Sequence, residues 1–375
     1  MNHRQMSVLH AYKTYFPDTG GGLEQTIRQI CLGTTRLGIR NTVATVTHAM
    51  PGELQREEAR VRRYRATLDV ASTPMSHAMW RDFRRLAAEA DVLHYHFPWP
   101  QADLMHCALA RGRPSIVTYH SDIVRQRLLK FFYRPLMRRF LDAVARIVVT
   151  SPDYLESSED LRPYRDKCTV IPIGIDESSY PRPDPARLQQ WETRLGRRFV
   201  LFIGVLRYYK GLEYLVQAMR GADYDLVIAG AGPMERSLKK LAAELGNTNI
   251  HFPGYVSDED KACLLELCRA VVFPSHLRSE AFGVTLLEGA MHVKPLISTD
   301  LGTGTSYVNR HGETGYVVKA ADPASLREVM DRLMRDESLA RDLGAAARAR
   351  YERLFTADRM ASEYAQLYRD VLDRG

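Results

Sequence analysis

Short apolar runs alternate with longer amphipathic stretches along nearly the whole chain. Residues 8–12, 42–46, 92–95, 115–119 and 146–149 read as strands, with 170–175 closing that series. Residues 23–37 carry helical apolar spacing directly after a glycine run. Short apolar strands separated by helices predict a parallel sheet covered on both faces. Residues 176–191 interrupt the pattern with Pro181, Pro183 and Pro185 among polar side chains and are expected to form a linker. A second series begins at 199–204 and continues through 226–229, 250–252, 270–273, 295–298 and 316–318. Its helices show spacings such as Leu238, Leu241 and Leu245, and the last stretch of the chain is helical throughout. The expected class is α/β, with two sheet-and-helix domains.

Size and composition agree with this division. The chain has 375 residues, 45% of them hydrophobic, enough for two cores. No apolar run reaches the length of a membrane-spanning helix. The opening MNHRQMSVLHAY lacks the apolar centre of a signal peptide and is expected to lead into the first strand. Cys31, Cys107, Cys168, Cys263 and Cys268 are scattered and odd in number, which points to reduced thiols and a cytoplasmic location.

A net charge of +7 admits nucleic acid, an anionic membrane or phosphorylated small molecules as partners. Its placement narrows the choice. Between 124 and 141 stand Arg125, Arg127, Lys130, Arg134, Arg138 and Arg139, no acid, and a series of aromatic and aliphatic residues. Such a mixture suits a surface resting on anionic headgroups, and equally a helix packed on a sheet with solvated arginines. Pro135 predicts two short helices there, not one.

The chemistry concentrates between Ser275 and Glu288. A strand stops at Pro274, a polar loop carries Arg278 and Glu280, and an apolar helix begins near Phe282 and Gly283 and carries Glu288. Eight residues along a helix span roughly 12 Å, so the two carboxylates are too far apart to share a proton or a metal. They can touch the two ends of an elongated ligand. Between them lies a helix N-terminus, whose free N–H groups suit phosphate. A nucleotide sugar has that layout. Arg207 and Lys210 follow another strand, in Leu-Arg-Tyr-Tyr-Lys-Gly; fixed cations of this kind stabilise a departing diphosphate. An isolated basic loop would look the same. Gly20, Gly21 and Gly22 follow the first strand, without the spacing of a dinucleotide fingerprint or a P-loop. His120 and Asp122 end a further strand, at the edge where parallel sheets bind ligands. His94 and His96 share one face of a strand, as a metal pair would; His96 is the one expected nearer a ligand, and His94 is expected to be packed in the sheet. No Asp-x-Asp clamp stands at a strand end.

These pieces resemble, in order, the retaining glycosyltransferases of family 4 (glycosyltransferase group 1). Glu280-x7-Glu288 with its intervening Ala-Phe-Gly-Val-Thr-Leu-Leu matches the family's paired glutamates. Gly21-Gly22-Leu23-Glu24, Tyr119-His120-Ser121-Asp122, the run GVLRYYKG from Gly204, and Gly230-Ala231-Gly232-Pro233 also match. The runs YKTYFPDT, TYHSDIV, RYYKG and FPSHLRSEAFG are most similar to the subgroup that builds mannose- or rhamnose-containing lipopolysaccharide O-chains.

The resemblance implies a GT-B fold: two facing Rossmann-like domains with a cleft between them and a C-terminal helix crossing back. Residues 1–176 with 355–375 would bind the acceptor, and residues 177–354 the nucleotide sugar. It assigns Arg207 and Lys210 to the diphosphate, Glu280 and His120 to the sugar, and Glu288 to the ribose. Gly21, Gly22, Gly232, Phe282 and Gly283 would line the donor. Asp122, His96 and Arg278 remain as possible sugar or acceptor contacts. Two departures stand out. Ile173 replaces a frequent Asn, and Gly302-Thr303-Gly304-Thr305-Ser306 lacks the glutamate of the usual Gly-Gly-x-x-Glu, so that Thr303 and Thr305 could donate hydroxyl bonds instead.

The expected activity is metal-independent, cofactor-free hexosyl transfer with retention. The donor would be a GDP-linked mannose or rhamnose and the acceptor a lipid-linked saccharide at the inner membrane face. A nucleotide-sugar epimerase shares the layout and stays open. A nucleic-acid-binding module lacks any recognised signature, and a dinucleotide oxidoreductase lacks Gly-x-Gly-x-x-Gly after the first strand.

Overall fold

The structure, a computed structural model, describes residues 5–70, 73–122 and 127–373. The chain divides into two compact units, Met1–Ile175 with Ala357–Gly375, and Asp176–Thr356.

The first unit holds strands β1 (Ser7–Ala11), β2 (Arg40–Thr47), β3 (Gly52–Gln55), β4 (Arg60–Arg65), β5 (Leu68–Val70), β6 (Thr73–Met75), β7 (Val92–Phe97), β8 (Ser115–Tyr119), β9 (Arg146–Val149) and β10 (Cys168–Val170). Eight of them form one sheet in the order β10-β9-β8-β7-β1-β2-β4-β3, parallel except for β3. Strand order reverses between β1 and β7, the switch point at which open α/β sheets bind ligands. The central strands are buried along their whole length because helices cover both faces. On one face Val8, Ile30, Val92 and Ile116 pack with Tyr364 and Tyr368 of the terminal helix Ala357–Leu372. Gly33 lets that helix approach the helix Gly22–Arg36: a Cβ at Gly33 would lie 2.4 Å from Ala361 Cβ.

The second unit has β11 (Phe199–Ile203), β12 (Asp225–Ala229), β13 (Ile250–Gly254), β14 (Ala270–Phe273), β15 (Leu296–Asp300) and β16 (Gly315–Lys319), all parallel, in the order β13-β12-β11-β14-β15-β16. Its switch point falls between β11 and β14.

Three sequence expectations change, and four strands lie where none was expected. Strands β3 to β6 carry no continuous apolar run. β4 and β3 close the solvated end of the eight-stranded sheet, where arginines of β4 meet acids, and β5 and β6 pair antiparallel as a two-stranded sheet of their own; Arg62 lies 3.3 Å from Glu53 and 3.6 Å from Asp82. The strand expected over 170–175 ends at Val170, because Pro172 supplies no ladder N–H. The expected linker is shorter. A helix, Pro185–Leu195, starts inside it, with Asp184 accepting from Arg187 N at 2.9 Å and Pro185 at its first turn. Finally, Pro135 sits inside one continuous helix, Arg127–Ala143. Met137, Phe140 and Leu141 anchor that helix in the core and the Tyr133 hydroxyl donates to buried Asp103. Phe131 and Phe132, by contrast, are 72% and 77% exposed. Arg134, Arg138 and Arg139 are exposed as well, whereas Arg125 and the side chains of Arg127 and Lys130 lie outside the described residues. No helix among the described residues is long and apolar enough to cross a membrane.

Candidate functional site

The second unit's switch point brings two loops together. After β11 the chain turns at Gly204 and runs through buried Leu206 to Arg207, which opens a short 3-10 turn, Tyr208–Lys210. Gly211 follows with φ 65°, and a Cβ there would stand 2.1 Å from the Pro274 carbonyl oxygen. Only glycine therefore allows this loop to lie against the end of β14. The contact delivers Lys210 to Glu280: Nζ lies 2.5 Å from Oε2, and 4.4 Å over the Phe273 ring. Ser275 Oγ donates to the same carboxylate oxygen at 3.4 Å. Arg207 is exposed, with no ion pair among the described residues.

Gly283, with φ 86°, begins the helix Val284–Met291, whose first turn has no side-chain cap. A Cβ at Gly283 would come within 3.1 Å of the Phe273 ring, so glycine closes this corner tightly. Gly232 serves a similar end, its Cα facing the Leu206 backbone, where a Cβ would stand 2.6 Å from the carbonyl oxygen.

Glu288 occupies the second turn of that helix and is 7% exposed. It is not a free carboxylate. Lys261 Nζ lies 3.0 Å from its Oε1, and the Tyr180 hydroxyl bonds to it as well. Burial disfavours the Lys261 cation, but Glu288 and Asp258 outweigh burial, and its pKa is raised. Burial, then the Glu288 charge, pushes the Tyr180 phenol well up, so it stays a donor. Sequence reading missed Lys261 and Tyr180; both come from elements with no motif of their own.

Four residues singled out in the sequence are engaged within the unit. Phe282 is 3% exposed, with its ring centroid 6.1 Å from that of Phe355, and is a core residue. Arg278 donates to the carbonyls of Leu301 and Gly302, each at 3.1 Å, rather than meeting Glu280. Thr303 and Thr305 are buried and bond each other at 3.3 Å, with Thr305 also donating to the Thr299 carbonyl, so neither hydroxyl replaces the missing glutamate.

In the first unit, Gly21 is the extended residue before the helix Gly22–Arg36. Space around Gly22 is open, whereas a Cβ at Gly21 would meet the Glu24 carboxylate at 2.8 Å. Glu24 accepts from Thr19 Oγ1 at 3.1 Å, folding over the helix start. Asp122 Oδ1 accepts from Tyr119 OH at 3.1 Å and from Ser158 Oγ at 2.9 Å.

The histidines form a buried layer. His120 Nε2 lies 3.0 Å from His96 Nδ1, and His96 Nε2 lies 3.1 Å from His10 Nδ1. His10 Nε2 in turn lies 3.2 Å from Asn41 Oδ1. His94 sits beside the row, with Nδ1 2.8 Å from Tyr368 OH and Nε2 2.7 Å from Thr118 Oγ1. Burial holds every ring neutral: His10 is lowered to about 4, His120 to about 3, and His94 and His96 well below the usual value. Ring nitrogens of His10, His94 and His96 lie within 4.8 Å of one another, a spacing a metal could use. Each of those rings, however, has both nitrogens hydrogen-bonded already, and a metal would have to displace those bonds.

Solved glycosyltransferases share this fold along nearly the full chain. Sucrose-phosphate synthase from Thermosynechococcus elongatus gives a TM-score of 0.81 at 19% identity, covering 99% of this chain and 100% of that one. WaaG, a glycosyltransferase involved in lipopolysaccharide biosynthesis, gives 0.70 at 16%, covering 96% and 99%. The two parallel-sheet units are thus of the GT-B class. In sequence, the family models for Glycosyltransferase Family 4 and Glycosyl transferases group 1 match residues 20–179 and 185–350. D-rhamnosyltransferase WbpZ of Pseudomonas aeruginosa is 53% identical over 353 residues, 94% of this chain and 93% of the relative. O-antigen chain mannosyltransferase C of Escherichia coli is 43% identical over 369 residues, 98% and 99% of the two. The chain belongs to this family of glycosyltransferases.

Proposed function

We propose that the protein transfers a mannosyl or rhamnosyl group from a GDP-linked donor to a lipid-linked saccharide during O-antigen synthesis, with retention at the anomeric carbon and without a metal. The carrying observation is the pairing of Lys210 with Glu280 beside the uncapped helix start at Gly283, with exposed Arg207 on the same loop. A diphosphate at this point would meet two cations and free N–H groups, which stabilise the charge that develops on departure. Lys210 would then exchange its carboxylate for phosphate, releasing Glu280 to accept from sugar hydroxyls. Glu288, oriented by Lys261 and Tyr180, would accept from the ribose.

Asp122 is oriented by Tyr119 and Ser158, which supports a structural role over a nucleophilic one. Front-face attack assisted by the leaving phosphate is the preferred course. The names of the two relatives support the sugar and the pathway. Exposed Phe131 and Phe132 among Arg134, Arg138 and Arg139 support peripheral docking on an anionic membrane face.

A panel of GDP-, UDP-, ADP- and dTDP-sugars, offered with membrane extracts as acceptor source, tests the reading. Transfer from GDP-mannose or GDP-rhamnose is expected. Transfer from another base alone would overturn the donor assignment, and an epimerised nucleotide sugar formed without acceptor would favour the epimerase.

A further inference from the structure

The histidine row has a direction, and that direction is set at Asn41. The Asn41 amide nitrogen lies 3.0 Å from the Cys31 carbonyl oxygen, 3.0 Å from Thr34 Oγ1 and 2.9 Å from Thr35 Oγ1. A carbonyl only accepts, so the NH₂ end must face Cys31 and the amide oxygen must face His10. An amide oxygen also only accepts, so His10 Nε2 carries the hydrogen. In a neutral ring that leaves His10 Nδ1 bare, and it accepts from His96 Nε2–H. His96 Nδ1 is bare in turn and accepts from His120 Nε2–H. The polarity thus passes through three rings, and His120 ends it with a bare Nδ1 that meets no hydrogen-bond partner among the described residues.

We propose that Asn41, His10 and His96 are positioning residues that hold His120 in the Nε2–H tautomer, so that its Nδ1 is an obligate acceptor for a hydroxyl of the transferring sugar or acceptor saccharide. The part concerning the hydroxyl rests on the reading above that His120 contacts the reacting sugars; the tautomer does not. Register explains how the row is built. His10 pairs with His94 across β1 and β7, and His96 pairs with Thr118 across β7 and β8, so these residues share one face, with His120 just past the end of β8. Neutrality, on which the directional argument depends, follows from burial of the rings.

The terminus also decides what the row does not do. In a serine-protease triad the third group is a carboxylate, which stabilises the imidazolium that forms on proton uptake. Here it is a neutral amide. A proton gained at His120 Nδ1 could pass no further than His10 and would leave a buried cation with no counter-charge. The row therefore sets a tautomer and does not store a proton. It presents a lone pair to a hydroxyl and cannot donate to an oxyanion.

Nitrogen NMR of the full-length protein labelled with ¹⁵N-histidine tests this at neutral pH, without ligand. Expected is a bare Nδ1 and a protonated Nε2 on His120, with the His96 and His10 signals alike. A protonated Nδ1, or a His120 imidazolium, would overturn the proposal. In Asn41→Leu the His120 signals should become a mixture of tautomers; an unchanged single tautomer would remove Asn41 from its role. Should that variant not fold, the wild-type spectrum decides. With GDP-mannose or GDP-rhamnose as donor, Asn41→Leu should lose about tenfold in kcat/KM, the scale of one hydrogen bond. If the spectra are as expected but His120→Ala transfers at the wild-type rate, the row stands and the placement of His120 at the sugars fails.

Discussion

The two units reach their switch points with the same topology and opposite chemistry. Between β11 and β14 the polar groups are charged and paired, Lys210 with Glu280 and Lys261 with Glu288. Along β1, β7 and β8 the polar groups are neutral rings, bonded in a row and closed by an amide. A doubly wound sheet therefore fixes where a site can form and leaves its electrostatics to the loops and strand ends. Fixed charge suits a diphosphate, whose charge grows as the bond breaks. A neutral, oriented layer suits hydroxyl groups, which need direction and little field.

The sharpest way to break this contrast is to remove the cations. Arg207→Ala and Lys210→Ala are each expected to lower turnover by about 10²–10³, the usual cost of one charge-stabilising donor. Saturating-donor kinetics measure this, and wild-type rates in both would detach the loop from the leaving group.

The basic helix of the first unit offers the next largest effect. Each arginine near an anionic surface contributes about 1 kcal/mol, so changing Arg134, Arg138 and Arg139 to Gln should weaken partition onto anionic vesicles by about two orders of magnitude. Donor binding should stay the same. Co-sedimentation that is indifferent to the three changes and to salt would return the segment to an ordinary packed helix.

Acid should separate the two units by pH. His10 and His120 bind no proton in the folded state until about pH 4 and about pH 3, whereas unfolded histidine does so near 6.5. Between those values the unfolded chain holds more protons, so stability is complete above about pH 6.5 and falls as pH drops toward 4. Each histidine contributes about 1.4 kcal/mol per pH unit in that window. Melting temperatures from pH 7 to 4.5 should fall for wild type and less for His10→Asn; equal slopes would mean that the layer is not what acid disrupts.

Smaller still is the coupling between Glu288 and Lys261. Lys261→Met and Glu288→Gln should each raise the donor KM, and the double change should cost less than their sum by about 1 kcal/mol. Strict additivity would show the pair to be independent. Chelation with EDTA should have the least effect, because Arg207 and Lys210 supply the positive charge; loss of activity restored only by Mg²⁺ or Mn²⁺ would overturn the cationic-loop account.

Much of this protein is legible in one dimension. Apolar runs separated by amphipathic stretches are a local signal, and they marked the strands of both parallel sheets, because buried strands must be apolar on two faces. The glycine at 211, the basic pair around Tyr208 and Tyr209, and the two glutamates eight residues apart are also local, and they carried the family resemblance. The strands over 52–75 were not legible, since their pairing comes from their partner strands and not from their own composition. Nor was the fate of individual polar side chains. Phe282 and Arg278 sit within the recognisable motif, yet tertiary contacts turned one into the core and tied the other to two carbonyls. Lys261 and Tyr180 reach Glu288 from elements far along the chain, and His10, Asn41, His96 and His120 become one row only because β1, β2, β7 and β8 lie together in a single register. The sequence by itself determined the class, the two sheets and the loops that carry chemistry, because periodicity and short motifs act over a few residues. Tertiary structure alone decided which charges are paired and which ring nitrogen carries a hydrogen, because those depend on distances near 3 Å between residues with no fixed spacing along the chain.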